Sequence, residues 1–526
     1  MNLQLTGEEL AIKEGLERFF LVILVALSVA TLSRTVSWLR QIPYTLLLVI
    51  VGLGLGIANL PLIKFSPTLI LEIFLPPLLF EAAWNASIDG LKKRWLPILL
   101  FAVLGVIISI VGVAFPLSYF SNLPLSITLL VGASLAPTDP VAVVALFREL
   151  GTSKDLTSII EGESLFNDGV AVVAFSLLLG IPFTAEVISV ESSLTTFFVF
   201  IGVAVAVGLL IGFSLSYLIQ RFEILLVEQS LTLVAAYATY FIAEEFHGSG
   251  VIGVVIVGLI LGNYGSRVGM SPRNRLVVTE FWEFLAFLVN SIVFLLIGSQ
   301  INITDLFENL DLILLAIIAV VLSRLVAVFG LALLGNILTK KRIGIRNLTV
   351  IWWGGLRGSV SIALALSIPT IVSQRSEILD IVFGVVLFTL LIQGLTMKWL
   401  IEKLGLIGDQ PLFQEFSELS AKKIALGRVL EHLNTLEPTT VLKTTDYLEQ
   451  EQLVLAQIKT CDEQLGKMSE QFPKLREISL EELKETLLDI EADTYAEFIR
   501  SGRLDKHLSP VLEDVLYQAQ DKEIGH

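Results

Sequence analysis

Apolar runs of membrane-crossing length recur along the chain from Phe19 to Leu404 and then stop. A bilayer-crossing helix needs ~20 mostly apolar residues. By that measure the chain predicts about thirteen spans, near 18–39, 43–60, 67–85, 95–117, 124–147, 157–180, 193–219, 228–245, 249–265, 276–300, 309–335, 346–370 and 377–404. The break between the eighth and ninth, from Glu244 to Gly250, is short. Beyond Gly408 the pattern becomes amphipathic and charge-rich, with helices predicted near 411–435, 443–470 and 479–500. The expected fold is an all-α polytopic membrane protein with a helical soluble C-terminal tail. The first apolar run follows an acidic stretch (Glu8, Glu9, Glu14, Glu17) rather than a basic one, so a retained membrane helix is expected, not a cleaved signal.

Composition agrees: 54% of residues are hydrophobic, the mean hydropathy is +0.79 and only 17% are charged. The charge is uneven. From Asp409 onward lie 24 of the 51 acidic side chains but only 13 of the 36 basic ones, so most of the net −15 sits in the last 118 residues. This acidity argues against nucleic-acid binding. A single cysteine, Cys461, rules out an intrachain disulfide, and with no His or Cys in the predicted spans neither zinc nor copper is expected there. Placing the N-terminus outside puts 17 basic side chains in inner loops and four (Lys13, Arg18, Lys64, Arg375) in outer ones. The tail is then cytoplasmic.

Two spans carry breaks. The fifth contains Ala136-Pro137-Thr138-Asp139-Pro140, whose prolines strip the carbonyls of Ala133 and Ala136 of their helical partners and push Asp139 out of α geometry. The twelfth contains Trp353-Gly354-Gly355-Leu356-Arg357-Gly358. Each break is the middle of a triplet, spans 4–6 and 11–13, and the triplets run in opposite senses. Inverted repeats with discontinuous helices that cross at the midplane are how many secondary transporters build an ion site. A transporter is expected, not an enzyme.

Intramembrane charge is costly, ~2.5–3.5 kcal/mol on insertion scales, so each charged residue needs a reason. In the sixth span helical spacing sets Ser164 and Asp168 on one face and Glu163 and Asn167 on the adjoining one, beside the opened Thr138. Hard oxygen ligands of this kind suit a small alkali cation. Burial penalises the charged carboxylate and a bound cation favours it. If H⁺ and Na⁺ exclude one another at Asp168, alternating access makes an exchanger. The neutral Asn167 predicts one-for-one, electroneutral exchange. Glu81 reads either as an interfacial carboxylate or as a further ligand, and Asp139 either as a helix cap or as an ion contact. Arg357 requires a partner, expected to be Glu163; Arg324 is expected to neutralise helix ends or Asp139.

Pro76-Pro77-Leu78-Leu79-Phe80-Glu81, Thr138-Asp139-Pro140, Gly162-Glu163-Ser164-Leu165-Phe166-Asn167-Asp168 and Gly355-Leu356-Arg357-Gly358, in this order, resemble monovalent cation:proton antiporter family 1. That family comprises the NhaP-type antiporters and the animal sodium/proton exchangers. The resemblance implies Na⁺ and H⁺ at Asp168, with Ser164, Thr138 and Glu81 as ligands, Asn167 in support, Glu163 paired with Arg357, and Li⁺ accepted in place of Na⁺. Animal exchangers usually have Asp where Glu81 stands. The resemblance also implies a homodimer in the plasma membrane. It implies further that core helices (95–180 and 309–404) slide like an elevator against dimerisation helices (18–85 and 193–300) within a transmembrane domain, 1–408, and no cofactor is expected beyond the transported ions. The rival readings are a K⁺/H⁺ antiporter of the same fold, a cation channel, and a solute:cation symporter, for which the sequence offers no polar aromatic cluster as an organic-substrate pocket.

The tail, 409–526, has heptad-like apolar spacing around Leu448, Leu453 and Ile458, which suits either helix pairing or a solvated helical tail; His432, His507 and His526 lie in it. A regulatory tail predicts that deleting 409–526 alters the pH profile of exchange in membrane vesicles; an unchanged profile contradicts that role.

Overall fold

The computed structural model describes residues 7–36, 39, 42–58, 68–180, 190–221, 224–301, 303–338, 342–372, 374–407, 410–435, 444–471 and 494, and these contain helices but no strand. The first helices are α1 (Gly7–Thr35), α2 (Tyr44–Ile57) and α3 (69–85), in which a π-helical stretch, Leu69–Phe74, runs into Leu75–Asn85. Next come the short α4 (Ile88–Lys93), α5 (Trp95–Phe120), α6 (Leu125–Ser134), α7 (Val141–Leu150) and α8 (Lys154–Leu179). They are followed by α9 (Val190–Ile219), α10 (Leu225–Glu245), α11 (Gly250–Gly269) and α12 (Pro272–Gln300). The short α13 (Ile303–Glu308) precedes α14 (Leu310–Leu338), α15 (Ile345–Trp353), α16 (Ser359–Leu366) and α17 (Arg375–Lys403). Among the described residues nine helices are long and apolar enough to cross a membrane. The second, third, fifth and twelfth predicted spans are the short or interrupted ones. The break expected between the eighth and ninth spans is a tight turn, with His247 at φ 56° and Glu244 accepting the N–H of Gly250.

Two groups of helices pack around the breaks. α5 lies against α6 and α14, α6 against α8, α16 and α17, and α14 against α17. In the other group α12 lies on α1, α2 and α3, while α11 joins α3, α9 and α10. The groups meet where α3 and α11 touch α8, and where α12 and the π-helical stretch of α3 touch α16. Glycine makes the second group tight. A Cβ on Gly52 of α2 would stand 2.0 Å from the carbonyl oxygen of Leu295 on α12, and one on Gly298 would stand 2.1 Å from that of Val49. In α3, Pro77 leaves the carbonyl of Ile73 without its usual helical donor. The hydroxyl of Tyr237 on α10 donates to that oxygen at 2.8 Å, anchoring the helix that carries Glu81.

The C-terminal region forms a separate unit. Its α18 (Gln410–Thr435) and α19 (Thr444–Gln471) pack on each other. Cys461 is buried there, Lys423 and Asp462 form an ion pair at 2.6 Å, and Leu453 is exposed. The predicted helix at 479–500, His507, His526 and the side chain of His432 lie outside the described residues.

Because the obstruction at Gly298 is backbone rather than a movable side chain, Gly298→Val forces α2 and α12 apart at a cost of about 3 kcal/mol or more. The expected result is a lowered melting temperature of the detergent-solubilised protein; an unchanged one contradicts this packing.

Candidate functional site

Both breaks form. α6 ends at Ser134 and α7 starts at Val141; α15 ends at Trp353 and α16 starts at Ser359. The two non-helical crossings bind each other, because the N–H of Asp139 donates to the carbonyl of Leu356 at 2.8 Å. Four helix ends thus converge inside an apolar interior, where unpaired backbone groups and uncompensated helix dipoles are both costly.

Side chains supply the missing partners. Arg357 is fully buried, and its Nη1 donates to the carbonyls of Ala136 (2.6 Å) and Pro137 (3.0 Å) beyond the C-terminus of α6. Its own N–H donates to Thr389 Oγ1 on α17 at 3.1 Å. Arg324 on α14 donates to the carbonyls of Ile351 (3.0 Å) and Trp352 (3.2 Å) at the C-terminus of α15. At the N-terminus of α7, Asp139 Oδ1 accepts the N–H of Val141 at 3.0 Å, so Asp139 acts as a helix cap. The two glycines of Gly355-Leu356-Arg357-Gly358 make room for these groups. A Cβ on Gly355 would overlap the Arg324 guanidinium at 2.1 Å, and one on Gly358 would overlap the Asp139 side chain at 2.4 Å.

The expected Glu163–Arg357 ion pair does not form. Glu163 pairs instead with Arg324, through Nη1–Oε1 at 2.9 Å and Nη2–Oε2 at 3.3 Å. The reason lies in the carbonyl freed at Ala136: it holds the Arg357 guanidinium at the first break, leaving the bidentate carboxylate site to the other buried arginine. Of the two roles expected for Arg324, it serves a helix end and not Asp139.

α8 sorts its polar residues by face, as i, i+4 spacing requires. Glu163 and Asn167 border a void of about 10 Å³ shared with Arg324 and Ser109. Ser164 and Asp168 face the opposite way, onto a cavity of about 240 Å³. Ser164 Oγ donates to the Thr138 carbonyl at 2.5 Å, and Asn167 Nδ2 donates to Thr138 Oγ1 at 2.6 Å, locking the opened backbone to α8. Asp168 is buried at the cavity floor, and its Oδ1 accepts no hydrogen bond. Glu81 lines the same cavity from α3, with Asn85 Nδ2 donating to its Oε1 at 2.7 Å. One cavity therefore gathers Asp168, Ser164, Thr138, Glu81 and Asp139, whereas Asn167 supports the wall from behind. Thr389 and the buried Gln393 on α17 escaped notice in the sequence, although two polar residues at i, i+4 in an apolar span were a signal for them.

Residues 23–403 match the family model described as sodium/hydrogen exchanger, transmembrane. The chain is 58% identical to the Na⁺/H⁺ antiporter ApNhaP of Aphanothece halophytica, over 97% of this chain and 98% of that protein. It is 54% identical to the low-affinity Na⁺/H⁺ antiporter NhaS1 of Synechocystis sp., over 96% of this chain and 97% of the relative. Among solved structures, that of the sodium proton antiporter MjNhaP1 from Methanocaldococcus jannaschii aligns with a TM-score of 0.60 at 22% identity. The alignment covers 75% of this chain and 99% of that one, and at this identity it establishes likeness of fold.

Removing one partner of a buried ion pair costs about 3–5 kcal/mol. Glu163→Gln should therefore lower the melting temperature markedly. A second change, Arg324→Gln, should recover part of that loss, whereas Arg357→Gln should recover none. Recovery with Arg357→Gln instead contradicts the pairing.

Proposed function

The chain belongs to the sodium/hydrogen exchanger family, and from that premise we propose that it is a secondary Na⁺/H⁺ antiporter in which both cations compete for Asp168. One observation carries this reading: the buried Asp168 lines a cavity whose wall also holds Ser164 and Thr138, and its Oδ1 has no hydrogen-bond donor within the protein. The hydroxyl of Ser164 is donor and acceptor in one group, so a rotation turns a lone pair toward an entering cation. With the Thr138 oxygens and, across the cavity, Glu81, this gives a hard, oxygen-only ligand set suited to Na⁺ and Li⁺.

Coupling follows from electrostatics. A bare carboxylate carried through an apolar, closed state is penalised by several kcal/mol. Either H⁺ or Na⁺ removes that penalty, so the site changes sides only when occupied, and occupation by one cation displaces the other. Asn167 adds no second titrating carboxylate, which supports electroneutral one-for-one exchange. The packing of α5–α8 with α14–α17 around the site supports an elevator-like motion of that group against α1–α3 and α9–α12. The resemblance adds a homodimer, and the excess of basic side chains in alternate loops supports an orientation with the N-terminus outside and the tail in the cytoplasm. In that orientation the cavity opens to the cytoplasm.

In everted membrane vesicles carrying a pH-sensitive dye, Na⁺ and Li⁺ should each release protons from the wild type, and Asp168→Asn should abolish the response. Retained exchange in Asp168→Asn overturns this reading. A response to K⁺ that exceeds the response to Na⁺ favours a K⁺/H⁺ antiporter on the same fold. Competition also fixes the sign of the pH dependence. As pH falls, protons fill Asp168 and the apparent KM for Na⁺ rises, by about tenfold per pH unit once protons dominate. A KM independent of pH contradicts a shared site.

A further inference from the structure

The mouth of the 240 Å³ cavity carries an ion pair to which nothing above assigns a task. Arg148 at the end of α7 donates from Nη2 to Glu161 Oε1 on α8 at 3.3 Å, and both residues line the cavity. Exposure grades along the cavity. The Arg148 side chain is 66% exposed and that of Glu161 25%, while Thr138, Ser164 and Asp168 are buried. Arg148 and Glu161 therefore stand at the rim and Asp168 at the floor. Facing them from α3 are Glu81 and Asn85. The charged residues around the cavity are Glu81, Asp139, Arg148, Glu161 and Asp168, four carboxylates and one guanidinium.

An ion pair with one member as exposed as Arg148 contributes little to stability. Its position has a larger consequence for ions. Without the guanidinium, the cavity would hold Glu161 and Glu81 with no compensating positive charge, a set of oxygens that suits a divalent cation. With it, the rim keeps a net charge near −1, enough to draw in a monovalent cation. Local potential acts on ion concentration through the ion's charge, so a factor f for Na⁺ becomes f² for Mg²⁺ or Ca²⁺.

We propose that Arg148 and Glu161 form a charge-balanced filter at the cavity mouth that sets the apparent affinity for monovalent cations and keeps divalent cations out. Glu161 is the attracting group and Arg148 the compensating one. The inference rests on the antiport reading above, because it concerns access to Asp168.

The two single neutralisations should act with opposite signs, which a merely structural role does not produce. For Na⁺-driven exchange in everted vesicles, Arg148→Gln should lower the KM for Na⁺ by about threefold and strengthen inhibition by Mg²⁺ or Ca²⁺ by about tenfold. Glu161→Gln should raise the KM by about threefold and weaken that inhibition. The double variant should return close to wild type, and the differences should shrink when choline chloride raises the ionic strength. Where a single variant does not reach the membrane, the charge swap of Arg148→Glu with Glu161→Arg supplies the readout. It preserves the balance and should keep the KM within about twofold of wild type. Exchange that is lost in Asp168→Asn, while both rim variants leave KM and divalent inhibition unmoved or shift them in the same direction, overturns the filter alone. Exchange that survives in Asp168→Asn overturns the site beneath it.

Discussion

Backbone carbonyls released inside an apolar interior must find donors, and the centre of this protein is organised by how they do so. Two prolines and a glycine-rich turn interrupt two helices where water is scarce. Arg357 takes the carbonyls of Ala136 and Pro137, Arg324 takes those of Ile351 and Trp352, and the backbone of Asp139 binds Leu356. Each arginine brings positive charge to a helix C-terminus, where the dipole is negative, and Asp139 brings negative charge to the N-terminus of α7. The glycines at 355 and 358 are required because the guanidinium and the carboxylate occupy the space a Cβ would fill.

Once the breaks are held in this way, the proposed ion site needs little more. Thr138 is the residue exposed by the first break, and α8 delivers Ser164 and Asn167 to its carbonyl and hydroxyl. Asp168, one helical turn beyond Ser164, lines the cavity, and its buried Oδ1 has no hydrogen-bond donor within the protein. A fixed cage with one unsatisfied carboxylate oxygen suits a cation that must be both bound and surrendered. Glu163 is kept out of that role by its bidentate contact with Arg324. Glu163 and Asp168, both on α8, thus have separate tasks, one structural and one proposed for transport.

Much of this was legible in the amino-acid sequence because it depends on periodicity and on backbone chemistry. Apolar run length located the helices, proline located the first break, and i, i+4 spacing separated Ser164 and Asp168 from Glu163 and Asn167. What spacing along one chain does not reveal is which of two buried arginines meets which acceptor. Arg324 and Arg357 were equally eligible for Glu163, and the outcome turns on the freed carbonyls of Ala136 and Pro137, whose direction depends on how the two breaks cross. The role of Thr389 was hidden for the same reason, since it binds a backbone N–H that becomes unpaired only in the three-dimensional crossing. The rim pair of Arg148 and Glu161 is thirteen residues apart, on two helices separated by a turn, a spacing without a regular signature.

If one carboxylate serves both cations, binding of one must expel the other even when nothing is transported. Proton release from purified, detergent-solubilised protein in weak buffer on addition of NaCl measures that directly. At a pH low enough for Asp168 to be protonated before Na⁺ is added, the account predicts about one proton released per Na⁺ bound by the wild type and none from Asp168→Asn. Proton release of wild-type size from Asp168→Asn would contradict it.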